Sequence, residues 1–151
     1  MRQRIVDAEP LPGDLRARAL EVLGTLPRGD RLCHGDLHVG NILGPWSAPV
    51  VIDWGDPRGD PAADVARTGL LHRFGALPPG TSLVARALVP VGRRILVSRY
   101  LEAYRRRRPV DRQLLERWQI VRAAARLWEP IPEEHPAMLR LLEEGLVNGA
   151  T

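Results

Sequence analysis

Residues 34–43 read His34-Gly35-Asp36-Leu37-His38-Val39-Gly40-Asn41-Ile42-Leu43, followed by Val51-Ile52-Asp53-Trp54-Gly55-Asp56 and by Gly59-Asp60-Pro61-Ala62-Ala63-Asp64. Asp36 and Asn41 share one loop, which offers a carboxylate as proton acceptor and a carboxamide oxygen as a hard ligand. Asp53 follows the apolar run Val50-Val51-Ile52, so a strand ending there would aim its carboxylate at the same place.

Working outward, Asn41-Ile42-Leu43 and Pro49-Val50-Val51-Ile52 read as two strands joined by the Gly44–Ala48 turn, and Arg31-Leu32-Cys33 as a short extended piece. Upstream, Asp14 with Leu15, Ala19, Val22, Leu23 and Leu26 predicts an N-capped amphipathic helix that ends at Pro27. Downstream, helices are expected at about 62–75, at 82–106 with an interruption or kink at Pro90, at 112–128 capped by Asp111, and at 134–147. Asp60, just before Pro61, suits a turn or N-cap, and Asp64 suits bonding to loop amides. Short strands at a polar loop followed by packed helices make an α+β fold, mostly helical, rather than an alternating parallel one.

The 151 residues, 44% apolar and 26% charged, fit a single domain spanning 1–151. The lone Cys33 excludes an intramolecular disulfide and suits a reducing compartment, so a cytoplasmic location is expected. No apolar run has the length of a membrane span, and Met1-Arg2-Gln3-Arg4-Ile5 leads into no apolar signal core, which argues against membrane insertion and secretion. The formal charge is +4, and all 22 basic residues are arginine; there is no lysine. The run Arg105-Arg106-Arg107-Arg108 suits the C-terminal dipole of a long helix. With no stacking aromatics nearby beyond Tyr100 and Tyr104, it argues little for a nucleic-acid partner.

HGDLHVGNIL, with VIDWGD and GDPAADVART after it, resembles the catalytic lobe of the aminoglycoside phosphotransferase family, which includes choline kinase-like small-molecule kinases. The likeness spans roughly residues 14–147, and the spacing of Asp36 and Asn41 is that of kinase catalytic loops. The resemblance implies a protein-kinase-like C-terminal lobe and ATP-dependent phosphorylation of a small-molecule hydroxyl with Mg2+. It makes Asp36 the general base and Asn41 and Asp53 the metal ligands. His34 packs beneath the metal-binding segment; His38 bonds Asp36 or lines the acceptor pocket; Asp60 and Asp64 are architectural. Asp56 and the tail acids Glu129, Glu133 and Glu134 are expected to face the acceptor, for which an aminoglycoside-like amine would give charge complementarity.

The sequence departs from that family's pattern in two respects: the N-terminal lobe is missing, with no glycine-rich loop before His34 and no lysine to pair with ATP phosphates, and the segment Gly55-Asp56-Pro57-Arg58-Gly59 is about one residue shorter than the family's. The expectation is therefore a truncated lobe lacking the N-terminal β lobe. Apolar side chains around the hairpin would be left to dock an N-lobe partner or a second copy in a homodimer. Two other readings of the residues stand beside this one. His34, Asp36, His38 and Asp53 would suit a metal-dependent hydrolase, though Asn41 has no part in that scheme. Arg93-Arg94 with Arg105–Arg108 would suit a non-catalytic arginine-rich binding module.

Overall fold

The computed structural model describes residues 1–55 and 58–147, without the side chain of Val147. In chain order the elements are α1 (Arg2–Val6), α2 (Gly13–Gly24), β1 (Arg31–Leu32), β2 (Ile42–Leu43), β3 (Val50–Val51), β4 (Arg58–Gly59), α3 (Pro61–Phe74), α4 (Leu83–Arg107), α5 (Arg112–Arg126) and α6 (His135–Val147). Single 3-10 turns cover Val39–Asn41 and Pro132–Glu134. The fold is α+β and mostly helical, as the element pattern predicts.

The expected hairpin is present: β2 and β3 pair antiparallel with Ile42 opposite Val51 and Leu43 opposite Val50. Gly44 leaves β2 at φ 87, a left-handed turn where a Cβ would meet the Ala48 carbonyl oxygen at 2.9 Å. A second two-stranded ladder was not legible in the sequence. There β1 pairs antiparallel with β4, Arg31 opposite Gly59, because the chain after Asp53 returns to the loop before His34. Gly29, at φ 61, makes this return possible, since a Cβ there would lie 2.5 Å from the backbone of Gly59 and Asp60.

Two helix starts follow the sequence closely. Asp60 caps α3, its Oδ1 accepting from the Ala62 amide at 2.8 Å, with Pro61 at the first helical position. Asp111 caps α5, its Oδ1 accepting from the Leu114 amide at 2.7 Å. The first long helix differs from expectation: Pro12 is its N-cap, and Asp14 lies in the first turn, where its charge meets the helix dipole without capping an amide. α4 runs through Pro90 as one helix. Pro90 is exposed there, so tertiary packing does not force a break at the lost amide.

α5 is the centre of the molecule, packed on α3, α6, α2 and α1. Ala62, Ala63 and Ala66 of α3 and Ala123 and Ala124 of α5 are all buried, and such small side chains let two helix backbones approach closely. Around them, Ile5, Leu15, Val65, Trp118, Val121, Leu127, Met138 and Leu142 fill one continuous core. α4 is different: it contributes no buried residue and leans on the core through the partly buried Tyr100, Leu101 and Tyr104. Burial pushes the Tyr100 phenol up to about 12.

Candidate active site

The loop from His34 to Asn41 is held from below by the first turn of α3. Asp64 accepts two backbone N–H groups, from His34 at 2.9 Å and from Gly35 at 2.7 Å. Because Asp60 caps α3 one turn earlier, the position of Asp64 is set by the helix start itself. Both aspartates thus have the architectural roles expected for them.

His34 is buried, and both of its ring nitrogens are committed. Nε2 lies 2.8 Å from the Ile52 carbonyl oxygen and donates to it, while Nδ1 accepts from the Asp36 amide at 3.2 Å. That pair of bonds sets the neutral tautomer. The imidazole ties the loop to the strand end, assisted by Gly55 N–H donating to the His34 carbonyl at 3.0 Å and by Trp54, whose ring centre lies 5.0 Å away. With no free nitrogen, His34 is unavailable as a metal ligand in this arrangement, which removes one member of the hydrolase ligand set. Among the described residues, no three His, Cys, Asp or Glu side chains come together in a way that would hold a metal.

Asn41, at 6% exposure, is buried at the end of the same loop. Its Nδ2 donates to the Asp36 backbone carbonyl at 3.0 Å, so its carboxamide oxygen is directed elsewhere. The Asn41 carbonyl in turn accepts from the Ile52 amide at 3.0 Å, placing Asp53 one residue beyond a fixed point. Asp53 is exposed and has φ 57, a left-handed conformation that costs a non-glycine residue roughly 1–3 kcal/mol. It is the one non-glycine residue at positive φ among those described, and strain of this kind concentrates at functional positions.

Asp36 is bracketed. Oδ1 accepts from Arg67 Nη2 at 2.8 Å, and Oδ2 lies 3.8 Å from His38 Nε2. His38 Nδ1 accepts from the Gly40 amide at 3.1 Å, which leaves its proton on Nε2, facing Asp36. Of the two roles considered for His38, the geometry places it beside Asp36. His72 lies close enough for its imidazole to feel His38 and Arg93, and burial, with those two charges, holds it below the usual histidine range.

Sequence reasoning missed Arg67. The signal was present: Asp60, Asp64 and Arg67 follow one another at helical spacing, so a helix that presents Asp64 to the loop presents Arg67 on the same side. The Arg67 side chain is 13% exposed and continues into an alternating ladder of charges. Its Nη1 donates to Glu129 at 3.2 Å; Glu129 also accepts from Arg126; and Arg126 Nε donates to Glu134 at 2.7 Å. Glu134 is buried and accepts in addition from the Ala76 amide at 2.9 Å. Glu129 and Glu134 therefore bridge α3, α5 and the start of α6 instead of presenting free charge to a cationic acceptor. Glu133 is exposed and lines a cleft of about 430 Å³ with Phe74, Leu77, Arg86 and Arg93. Asp56 lies outside the described residues.

Val39, Leu43, Val50 and Trp46 around the hairpin are 68%, 50%, 57% and 96% exposed, the apolar face expected there. Among the described residues, no helix is long and apolar enough to cross a membrane. A family model described as the phosphotransferase enzyme family matches residues 1–88, from α1 into α4 and across the whole of the loop, hairpin and α3 assembly. No curated protein and no solved structure gives a significant match.

Proposed function

The chain belongs to the phosphotransferase enzyme family, and from that premise we propose that it is part of an ATP-dependent kinase acting on a hydroxyl of a small molecule. The observation that carries this reading is the bond from Asn41 Nδ2 to the Asp36 carbonyl, which joins a carboxylate base and a carboxamide ligand in one rigid loop. Phosphoryl transfer asks a protein mainly for positioning and charge neutralisation.

Asn41 and Asp53 would hold magnesium, whose charge, when bound, neutralises the phosphate oxygens. The residues fit that ion. The carboxamide oxygen of Asn41 is turned away from its own tether, Asp53 is held in a strained conformation at the strand end, and two hard oxygen donors leave the remaining positions to water and phosphate. Asp36 acts on the acceptor. Arg67 occupies Oδ1, so Oδ2 is the oxygen that accepts the hydroxyl's hydrogen bond and takes its proton as the new oxygen–phosphorus bond forms and the bond from the γ-phosphorus to the bridging oxygen breaks, releasing ADP. His38 Nε2–H faces the same Oδ2 and helps orient it. The apolar side chains around the hairpin form the seat for a nucleotide-covering lobe, carried by another segment or another chain.

Two titrations test the reading. Mn2+, a paramagnetic stand-in for magnesium, should broaden the resonances of Asp36, Asn41 and Asp53 first, and Asp53→Ala should abolish that selectivity. Calorimetry with MgATP should then show saturable binding that weakens at least tenfold in Asp53→Ala. Broadening that ignores these three residues would overturn the metal assignment and the kinase reading with it.

A further inference from the structure

Away from the loop of Asp36, a groove of about 880 Å³ opens between α3, α4, α5 and α6, within the size range of small-molecule sites. Phe74, Ile120 and Leu141 supply its apolar lining beside the polar Gln113 and Gln119, and α6 lies so close to α5 at Gly145 that a Cβ there would sit 2.9 Å from Ile120. Its walls carry one arginine from each of four helices: Arg73, Arg94, Arg117 and Arg140.

These guanidinium groups lack acidic partners. Arg94 and Arg140 make no hydrogen bond or ion pair among the described residues. Arg73 rests on the face of Phe74, 5.0 Å from the ring centre, and Arg117 donates to the neutral hydroxyl of Thr25. Two carboxylates also line the groove. Glu116 is already engaged by Arg112 at 2.7 Å, which leaves Glu144 alone against four positive charges. All four are exposed, whereas the more buried arginines of the protein are paired, as in the ladder from Arg67 to Glu134. Like charges converging from four separate helices on one groove make a concave region of positive potential. Guanidinium forks match the oxygens of phosphate and carboxylate.

We propose that this groove binds an organic oxyanion: a small molecule with a flat apolar body that rests on Phe74, Ile120 and Leu141, and a phosphate or carboxylate head held by Arg94 and Arg140. The proposal is independent of the kinase reading, because none of these residues touches Asp36, Asn41 or Asp53.

The test titrates 1-naphthyl phosphate, 2-naphthoate and neutral 1-naphthol into the whole chain at low salt, with calorimetric detection. The naphthyl anions should bind at least tenfold more tightly than naphthol. The double variant Arg94→Ala/Arg140→Ala, which breaks no internal bond, should lose that advantage, whereas Asp53→Ala should keep it. A phosphate preferred over carboxylate, or the reverse, identifies the head group. Anions that bind no better than naphthol, an undiminished affinity in the double variant, or a loss in Asp53→Ala would each overturn the assignment.

Discussion

Arg67 Nη2 lies 2.8 Å from Asp36 Oδ1, and the same guanidinium donates through Nη1 to Glu129 at 3.2 Å. One arginine in the second turn of α3 thus joins the Asp36 carboxylate to the segment just after α5, and Arg126 extends the connection to Glu134. Replacing Arg67 with Met would leave Asp36 without its guanidinium partner and Glu129 held by Arg126 alone. The expected loss is about 2–3 kcal/mol, above that of an exposed pair and below that of a fully buried one. Urea unfolding of Arg67→Met against Arg112→Met, whose partner Glu116 is solvated, measures the difference; equal losses would deny the ladder any special weight.

Asp64 is the sole side-chain acceptor for the amides of both His34 and Gly35 among the described residues. Asp64→Ala should cost about 2–4 kcal/mol, because two hydrogen bonds to a charged group are lost together. Amide hydrogen exchange should accelerate at His34 and Gly35 while α5 stays protected. Unchanged exchange at the loop would mean that Asp64 does not hold it.

The positive φ of Asp53 predicts an opposition between stability and function. Glycine adopts that conformation freely and alanine does not, so Asp53→Gly should be about 1 kcal/mol more stable than Asp53→Ala. Both variants should lose the selective Mn2+ effect. Thermal unfolding of the pair supplies the comparison.

His72 gives the protein a dependence on acid. Burial and the neighbouring His38 and Arg93 hold its folded-state pKa below the ordinary value of 6.5. The unfolded chain therefore takes up the proton first as pH falls. The His72 contribution is fully present above pH 6.5 and is lost progressively on acidification through the folded-state pKa. Denaturant midpoints measured downward from pH 7.5 should fall below pH 6.5 in the wild type and fall less in His72→Gln.

Pro90 lies inside α4 and is exposed. It removes an amide donor and crowds the carbonyl one turn earlier, so Pro90→Ala should stabilise the protein by about 1–3 kcal/mol without touching the core. A neutral or destabilising result would show that the proline supports a contact on α4.

Local chemistry was readable along the chain. Asp60 before Pro61 and Asp111 before Arg112 announced two helix starts, and the Gly44–Ala48 turn between apolar runs announced the hairpin, because caps and turns depend on residues a few positions apart. The shared loop of Asp36 and Asn41 was legible for a related reason: they lie five residues apart, and the Asn41 side chain closes that span onto the Asp36 carbonyl. The β1–β4 ladder was not legible, since two-residue strands carry no periodicity and pair only after the chain has closed a long loop. Nor could the sequence say which acids of the tail were free. Glu129, Glu133 and Glu134 are near neighbours in sequence, yet two face arginines inside the helical pack and one faces solvent. The sequence by itself determined the mostly helical class, the loop from His34 to Asn41 and the caps around it. Tertiary structure alone decided which arginine holds Asp36 and which arginines surround the distant groove, because those juxtapositions arise where separate helices meet and have no spacing along the chain to reveal them.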